Sequence, residues 1–198
     1  KNIAVPGCYP TSILLPLIPL LKKNIIKTDN IIIDSKSGYS GAGKGFDIRN
    51  IKNSNDNNFY NYNTNNHRHN SEIQQELEKY TKNKVNFTFN PHILPVYRGM
   101  MSSIYVDLNK NFKINDVNNV LLDSYSNSSF VELVNNNLHI DFFSIQNTNK
   151  CIIRTFKTNN ANKIIIISLI DNLLKGAAGQ AIQCFNLMNN LEEHIGLI

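Results

Sequence analysis

Only three of the 198 residues are cysteines, Cys8, Cys151 and Cys184, and none belongs to a C-x-x-C pair. An odd number at such wide spacing argues against a disulfide framework or a structural zinc site and fits a reducing compartment, so a cytoplasmic location and no metal are expected. Long hydrophobic runs are also lacking. The longest, residues 11–21, is interrupted by Pro16 and Pro19 and falls well short of the roughly 20 residues that a membrane span needs, so no membrane partner is expected. Lying after Cys8, this run is neither the apolar core of a signal peptide nor a lipoprotein box. Charged residues make up only 18% of the chain, with twenty Lys and Arg against fifteen Asp and Glu for a net charge of +5. The basic residues are scattered, with no cluster beyond Lys22 and Lys23. A nucleic-acid footprint needs a concentrated patch, so no nucleic-acid partner is expected. The dinucleotide fingerprint G-x-G-x-x-G is absent as well.

What is abundant is asparagine, 34 residues, and isoleucine, 26 residues. A genome biased towards A and T inflates Asn, Ile and Lys together, so this skew is assigned to codon usage. The length suits one sizeable domain, and 41% hydrophobic residues place the chain among ordinary globular proteins.

Along the chain, Pro10 suits the first turn of a helix, and Ile13, Leu14, Leu17, Ile18 and Leu21 follow at helical spacing, which predicts a helix over 10–23 bent at Pro16 or Pro19. Residues 31–35 read as a buried strand feeding a glycine loop, and 50–66 as a long Asn-rich loop. A helix is expected over 71–82, and strands over 85–95 and 100–108 are separated by a turn at Arg98 and Gly99. Beyond these come a helix over 115–126, strands over 130–134, 152–157 and 163–170, and a final helix over 172–191. The fully apolar 163–170 reads as a central strand. Strands outnumber helices without strict alternation, which predicts an α+β fold, a mixed sheet with helices packed on it.

Four constellations carry chemistry. In Gly7-Cys8-Tyr9-Pro10-Thr11 a cysteine stands at the mouth of a helix, where unpaired N–H groups and the positive dipole end favour a thiolate; a buried structural thiol is the bland reading. A cysteine nucleophile wants a histidine, and His67-Arg68-His69 followed by Glu72 presents two imidazoles, a guanidinium and a carboxylate from one edge. Surface histidines in an Asn-rich loop are the alternative, and a metal reading lacks further ligands. Gly38-Tyr39-Ser40-Gly41-Ala42-Gly43-Lys44 follows a strand like a P-loop, and 164–171 resembles the apolar strand with a terminal Asp that binds magnesium in such enzymes. However, Gly45 replaces the required hydroxyl and no helical periodicity follows, leaving a loop able to cradle an anion. Last, residues 171–180, DNLLKGAAGQ, turn a strand end into a helix whose small residues allow close approach or tight packing.

Taken together, PGCYPTSILLPLIPL, SGYSGAGK, HRH with Glu three on, FNPHILPVYRGM and DNLLKGAAGQAIQ resemble the N-acetyl-gamma-glutamyl-phosphate reductase family, related to aspartate-semialdehyde and glyceraldehyde-phosphate dehydrogenases. The resemblance implies a largely antiparallel sheet with helices on one face, as in the C-terminal domain of glyceraldehyde-phosphate dehydrogenase. It also implies an NADP(H)-dependent reductase of an acyl phosphate in arginine biosynthesis, working through a cysteine thioester. By motif match, Cys8 is the expected nucleophile, with His67 or His69 as proton shuttle. Arg68, Glu72, Arg98, Ser37, Gly38, Ser40 and Gly41 are expected at the substrate, and Asn172, Lys175 and Gly176 at the cofactor. Residues 1–198 would form the catalytic and dimerisation domain, with 172–191 returning towards an N-terminal Rossmann domain that this chain lacks. A homodimer or homotetramer is expected, since a sheet of this size exposed on one face invites a partner. The family usually has Thr-Pro where this chain has Asn70-Ser71, and a glycine-rich lead-in where it has residues 63–66. A degenerate relative that kept the fold and lost catalysis is the runner-up, with a P-loop nucleotidase behind it.

Overall fold

The computed structural model describes residues 2–52, 56–134 and 139–197. Among these lie four α-helices, α1 (Cys8–Lys22), α2 (His69–Glu78), α3 (Ile114–Tyr125) and α4 (Gly179–Met188). Seven strands accompany them: β1 (Ile31–Gly38), β2 (Tyr60–Asn61), β3 (Phe87–Leu94), β4 (Met100–Asp107), β5 (Val131–Leu133), β6 (Cys151–Lys157) and β7 (Lys163–Ile170). They form one sheet in the order β2-β3-β1-β4-β7-β6-β5. Its pairings are antiparallel except β1 with β3 and β5 with β6. The α+β class and the mixed, largely antiparallel sheet are those expected, and β7 lies inside the sheet between β4 and β6.

Successive side chains of a strand point to opposite faces, and burial follows that rule. Ile31, Ile33, Met100, Ile104, Val106, Ile164, Ile166 and Ile170 lie in one continuous core, whereas Asp34, Lys36, Tyr105 and Asp107 point the other way. The core face is the one the helices cover: α1 lies on β4 and β7, α3 on β5 and β6, and α2 on α1. The opposite face is partly roofed at one end, where Ile145 and Phe142 cover Ile152 and Leu169.

α1 runs unbroken through Pro16 and Pro19. A proline at position 19 cannot donate to the Leu15 carbonyl; that carbonyl accepts the Tyr125 hydroxyl instead, at 2.6 Å. The helix starts at Cys8, two residues before the expected start. β1 continues past Ser35 to Gly38, so Ser37 and Gly38 belong to a strand. The turn at Arg98 and Gly99 closes no hairpin, because β1 lies between β3 and β4. The segment expected to be one helix from 172 is first a π-helical turn, Leu174–Ala178, and only then α4. Within the Asn-rich segment, Asn63 and Asn65 turn the chain with φ of 48° and 56°, a conformation asparagine tolerates better than most residues; residues 53–55 of that expected loop lie outside the described residues.

Candidate active site

Gly7 is the residue on which the site is built. Its N–H donates to Glu72 Oε1 at 3.0 Å, and its carbonyl accepts both the N–H and the hydroxyl of Thr11 at 2.9 Å. The peptide leading into Cys8 is thereby clamped from both sides. A Cβ on Gly7 would lie 2.5 Å from His69 Nε2, so only glycine lets that imidazole pack here. Cys8 is the first residue of α1. The π-helical turn closes on it from the other side, with a Cβ on Gly176 falling 2.7 Å from the Cys8 Cβ.

Burial pushes the Cys8 thiol up, and Glu72 adds to the rise; the N–H groups of Tyr9 and Cys8 and the charge of Arg68 oppose it without prevailing. This corrects the thiolate expected at the helix mouth. Removing the sulfur from water disfavours its charged form more than the helix end favours it, so a base must take the proton.

Two imidazoles pack around the neighbouring residues, His69 on Gly7 and both rings on Tyr9. His67 and His69 are both buried, at 9% and 8% exposure, with ring centroids 4.8 Å apart. Burial first, then His67 and Arg68, hold His69 down at about 4; burial and then Arg68 lower His67. Both rings are therefore neutral at pH 7. His67 uses its Nδ1 to accept the His69 N–H at 3.1 Å and places Nε2 3.5 Å from the Tyr62 hydroxyl. His69 has a buried Nδ1 with no partner. Arg68 is exposed between them, its charge acts on Cys8 and on both imidazoles, and its guanidinium makes no hydrogen bond among the described residues.

A second cluster gathers around the end of β7. The Asn172 Oδ1 accepts the Gly99 N–H at 2.7 Å and its Nδ2 donates to Ser40 Oγ at 2.9 Å. A Cβ on Gly41 would lie 2.9 Å from Ser37 Oγ, and one on Gly38 would strike the Tyr97 carbonyl at 2.6 Å. Thus Ser40 and Gly41 meet Asn172, with Ser37 beside Gly41 and Gly38 against the Tyr97–Arg98 backbone. Four of the residues expected at substrate or cofactor are already bonded within the protein. Arg98 is paired with the fully buried Asp171, at 2.8 Å from Nε to Oδ2, and also donates to Asn147. Asn172 spends both ends of its amide on the ties just described. Lys175 is 3% exposed and donates inward to Gln183 Oε1 at 2.6 Å. Glu72, too, spends Oε1 on Gly7. Asp171 further accepts the N–H groups of Asn147, Leu173 and Leu174. The P-loop reading fails on the same geometry: where a P-loop runs into an α-helix, Gly38 is followed by 3₁₀ turns at Tyr39–Ala42 and Ile48–Asn50, and the Asp that would meet magnesium is bonded to Arg98.

Comparison with known proteins agrees with this architecture. Residues 8–172 match the family model described as semialdehyde dehydrogenase, dimerisation domain. The chain belongs to that family. Over all 198 residues it is 42% identical to a probable chloroplastic N-acetyl-gamma-glutamyl-phosphate reductase of Arabidopsis thaliana, covering 49% of that protein. It is 46% identical over 98% of its length to N-acetyl-gamma-glutamyl-phosphate reductase of Ehrlichia canis, covering 56% of it. The chain therefore spans about half the length of the curated relatives it matches. Its fold is that of aspartate semialdehyde dehydrogenase II from Vibrio cholerae (TM-score 0.71, 16% identity, 93% of this chain and 61% of that one). A probable aspartate-semialdehyde dehydrogenase from Pseudomonas aeruginosa superposes similarly (TM-score 0.73, 13% identity, 93% and 61%).

Dehydrogenases of this family type call for a nicotinamide cofactor, and the residues present fit one end of it. Gly176 lies against Cys8, and Ala177 and Ala178, which follow it in the π-helical turn, are exposed. No described segment joins a strand to a helix through the glycine-rich turn that holds a dinucleotide pyrophosphate. Sequence reasoning named Cys8 and both histidines but missed Gly7, Tyr9, Tyr62 and Asp171. Gly7 adjoins the nucleophile and was legible in principle. Asp171 was legible only as a strand-end residue, in the P-loop-like 164–171 and at the head of 171–180.

Proposed function

We propose that this chain is the cysteine-bearing half of an N-acetyl-gamma-glutamyl-phosphate reductase, which converts N-acetyl-glutamyl 5-phosphate to the 5-semialdehyde with release of phosphate, in arginine biosynthesis. The observation that carries this reading is Cys8 held between Gly7 and Gly176, with the His69 ring packed on Gly7 and the charge of the unpaired Arg68 acting on the thiol. Cys8 Sγ attacks the acyl carbon, the C–O bond to phosphate breaks, and His69 takes the thiol proton. Arg68 offsets the charge of the departing phosphate, which leaves with that proton. The thioester so formed is reduced by hydride, the chemistry that NADPH supplies when bound, beside Gly176 and the two alanines. A proton that His69 takes up from solvent passes to the resulting oxygen; as the hemithioacetal collapses to the aldehyde the C–S bond breaks, and the hydroxyl proton returns through His69 to the Cys8 sulfur. Neutral imidazole and neutral thiol suit this sequence, since the proton moves only when the substrate is in place.

The cofactor's phosphates, on this reading, are held by an N-terminal domain outside these 198 residues. α4 would face that domain: it buries polar Gln183 and Asn186 and exposes Ile182 and Phe185, the latter at 60%. A homodimer or homotetramer in the cytoplasm completes the proposal; the sheet face opposite the helices supports it. The test is acyl-phosphate-dependent NADPH oxidation by the complete polypeptide, expected in wild type and abolished in Cys8→Ser with NADPH binding retained. Turnover by the Cys8→Ser variant overturns the thioester route. Micromolar NADPH binding by this chain alone overturns the domain assignment.

A further inference from the structure

Two tyrosines have no part in the chemistry above. Tyr62 places its hydroxyl 3.5 Å from His67 Nε2 and 3.2 Å from the Tyr9 hydroxyl, which in turn donates to the His92 carbonyl at 3.4 Å. On the far side of the His67 ring, Nδ1 accepts the backbone N–H of His69 at 3.1 Å. The row thus begins with a group that can only donate and ends with one that can only accept. One arrangement of protons satisfies every contact between them. The His69 N–H points to His67 Nδ1, His67 Nε2–H to Tyr62, the Tyr62 hydroxyl to Tyr9, and the Tyr9 hydroxyl to His92. Reversing any link leaves two hydrogens or two lone pairs facing each other.

The surroundings keep the ring from turning over. Tyr9, Tyr62 and Phe89 present edges or faces to it with centroids at 5.3, 5.5 and 5.5 Å and interplanar angles of 85°, 75° and 88°. The row also has a structural purpose. The His69 N–H belongs to the first residue of α2 and has no partner within that helix, and Arg68, at the N-cap, makes no side-chain cap. His67 supplies the missing acceptor, provided its Nδ1 carries no proton. A charged His67 would turn a second N–H against the first, and the ring is in any case held below its ordinary value by burial.

We propose that Tyr62 and Tyr9 are positioning residues that hold His67 in its Nε2–H tautomer, so that His67 fixes the start of α2 and His69 alone exchanges protons with Cys8. The tautomer stands on geometry; the role at Cys8 rests on the reductase reading. Long-range ¹H–¹⁵N spectra of the histidine-labelled 198-residue chain test the first part, with His67 assigned by its loss in His67→Asn. Expected are a bare Nδ1 and a protonated Nε2 in wild type, unchanged as the pH falls through 6.5. In Tyr62→Phe, with its circular dichroism unaltered, the Nε2 proton should exchange with water about five-fold faster, the factor that one neutral hydrogen bond is worth. An Nδ1–H tautomer, or equal exchange in the two proteins, overturns the proposal. In the complete enzyme Tyr62→Phe should lower kcat roughly ten-fold at constant KM, since misplacing a proton carrier acts on the chemical step. An unchanged kcat overturns the positioning role even if the tautomer is as stated. Absence of any reductase turnover in wild type overturns the functional reading, and with it the role at Cys8, while leaving the tautomer result intact.

Discussion

Replacing Gly176 with alanine adds a single methyl group where the structure has no room for it. The new Cβ would lie 2.7 Å from the Cys8 Cβ, 3.2 Å from its Cα and 3.3 Å from Ile170 Cδ1. Ordinary contact begins near 3.4 Å, so Cys8 and residue 176 must part by about 0.7 Å, and two of the three obstacles belong to the first residue of a helix rather than to a flexible side-chain end. Overpacking of this kind costs about 1–3 kcal/mol. Gly176 has no positive φ, so alanine gains about 1 kcal/mol of helical preference in return. The balance is a loss of about 1 kcal/mol, or roughly 2–4 °C in Tm for a chain of this size. Activity should suffer far more, because a misplacement near 1 Å can cost about 10²-fold in rate. Calorimetry of the chain and turnover of the complete enzyme read the two effects. Gly45→Ala is the control, since nothing lies within 4 Å of its Cβ, and it should be neutral or slightly stabilising. If Gly176→Ala melts at or above wild type and turns over normally, Cys8 does not depend on this contact and the slot described here is wrong.

Other consequences can be checked on the same proteins. Burial raises the Cys8 thiol above the ordinary 9.0, so its alkylation by iodoacetamide, followed site by site by mass spectrometry, should keep accelerating beyond pH 9. A plateau below pH 8 would mean that the helix mouth wins after all, and Cys151, fully buried and pushed up to about 11, should stay unmodified in the folded chain. Arg98→Met strands the carboxylate of Asp171 without its counter-charge and should cost about 3–5 kcal/mol in urea denaturation, with part of the loss recovered by adding Asp171→Asn; equal stability of the single and double variants would dismiss the pair. His69, held at about 4 when folded against an ordinary 6.5, takes up its proton more readily in the unfolded chain. Stability should therefore fall as the pH drops from 6.5 to 4, by on the order of 3 kcal/mol for this group. A His69→Asn variant should show a flatter decline, and an unchanged slope would refute the shift.

The parts of the fold that could be read from the sequence are those where local chemistry and tertiary packing ask for the same thing. Residues 164–170 are apolar on both faces apart from Ser168, and β7 lies between two neighbours; Ile73 and Leu77, four apart, are buried on α2. Where the two disagree, the local signal misleads. Pro16 and Pro19 speak for a bend, but the carbonyl that Pro19 leaves without a donor is answered by Tyr125, more than a hundred residues away. Arg98 and Gly99 look like the corner of a hairpin. The partner of β3 and β4 is instead β1, whose Ile31 pairs with Phe87 of β3 56 positions on, because Ile31 and Ile33 are needed in the core between them.

The same division runs through the site. Residue types advertise chemistry, so a cysteine at a helix mouth and a His-x-His pair were visible as candidates from the start. What a charged or polar group is already bonded to is invisible in one dimension. Arg68 and Arg98 look alike as substrate-binding arginines, yet one is exposed with no hydrogen-bonded partner among the described residues and the other is paired with a buried carboxylate 73 positions away. His67 and His69 are equivalent by motif, and the structure separates them through a backbone N–H and a tyrosine from the Asn-rich segment that composition alone marked as featureless. The sign of the Cys8 shift was misjudged for a related reason. Helix position is local and legible, whereas burial is the sum of everything that folds around the sulfur, and for a thiol closed in by Gly176 that sum is the larger effect.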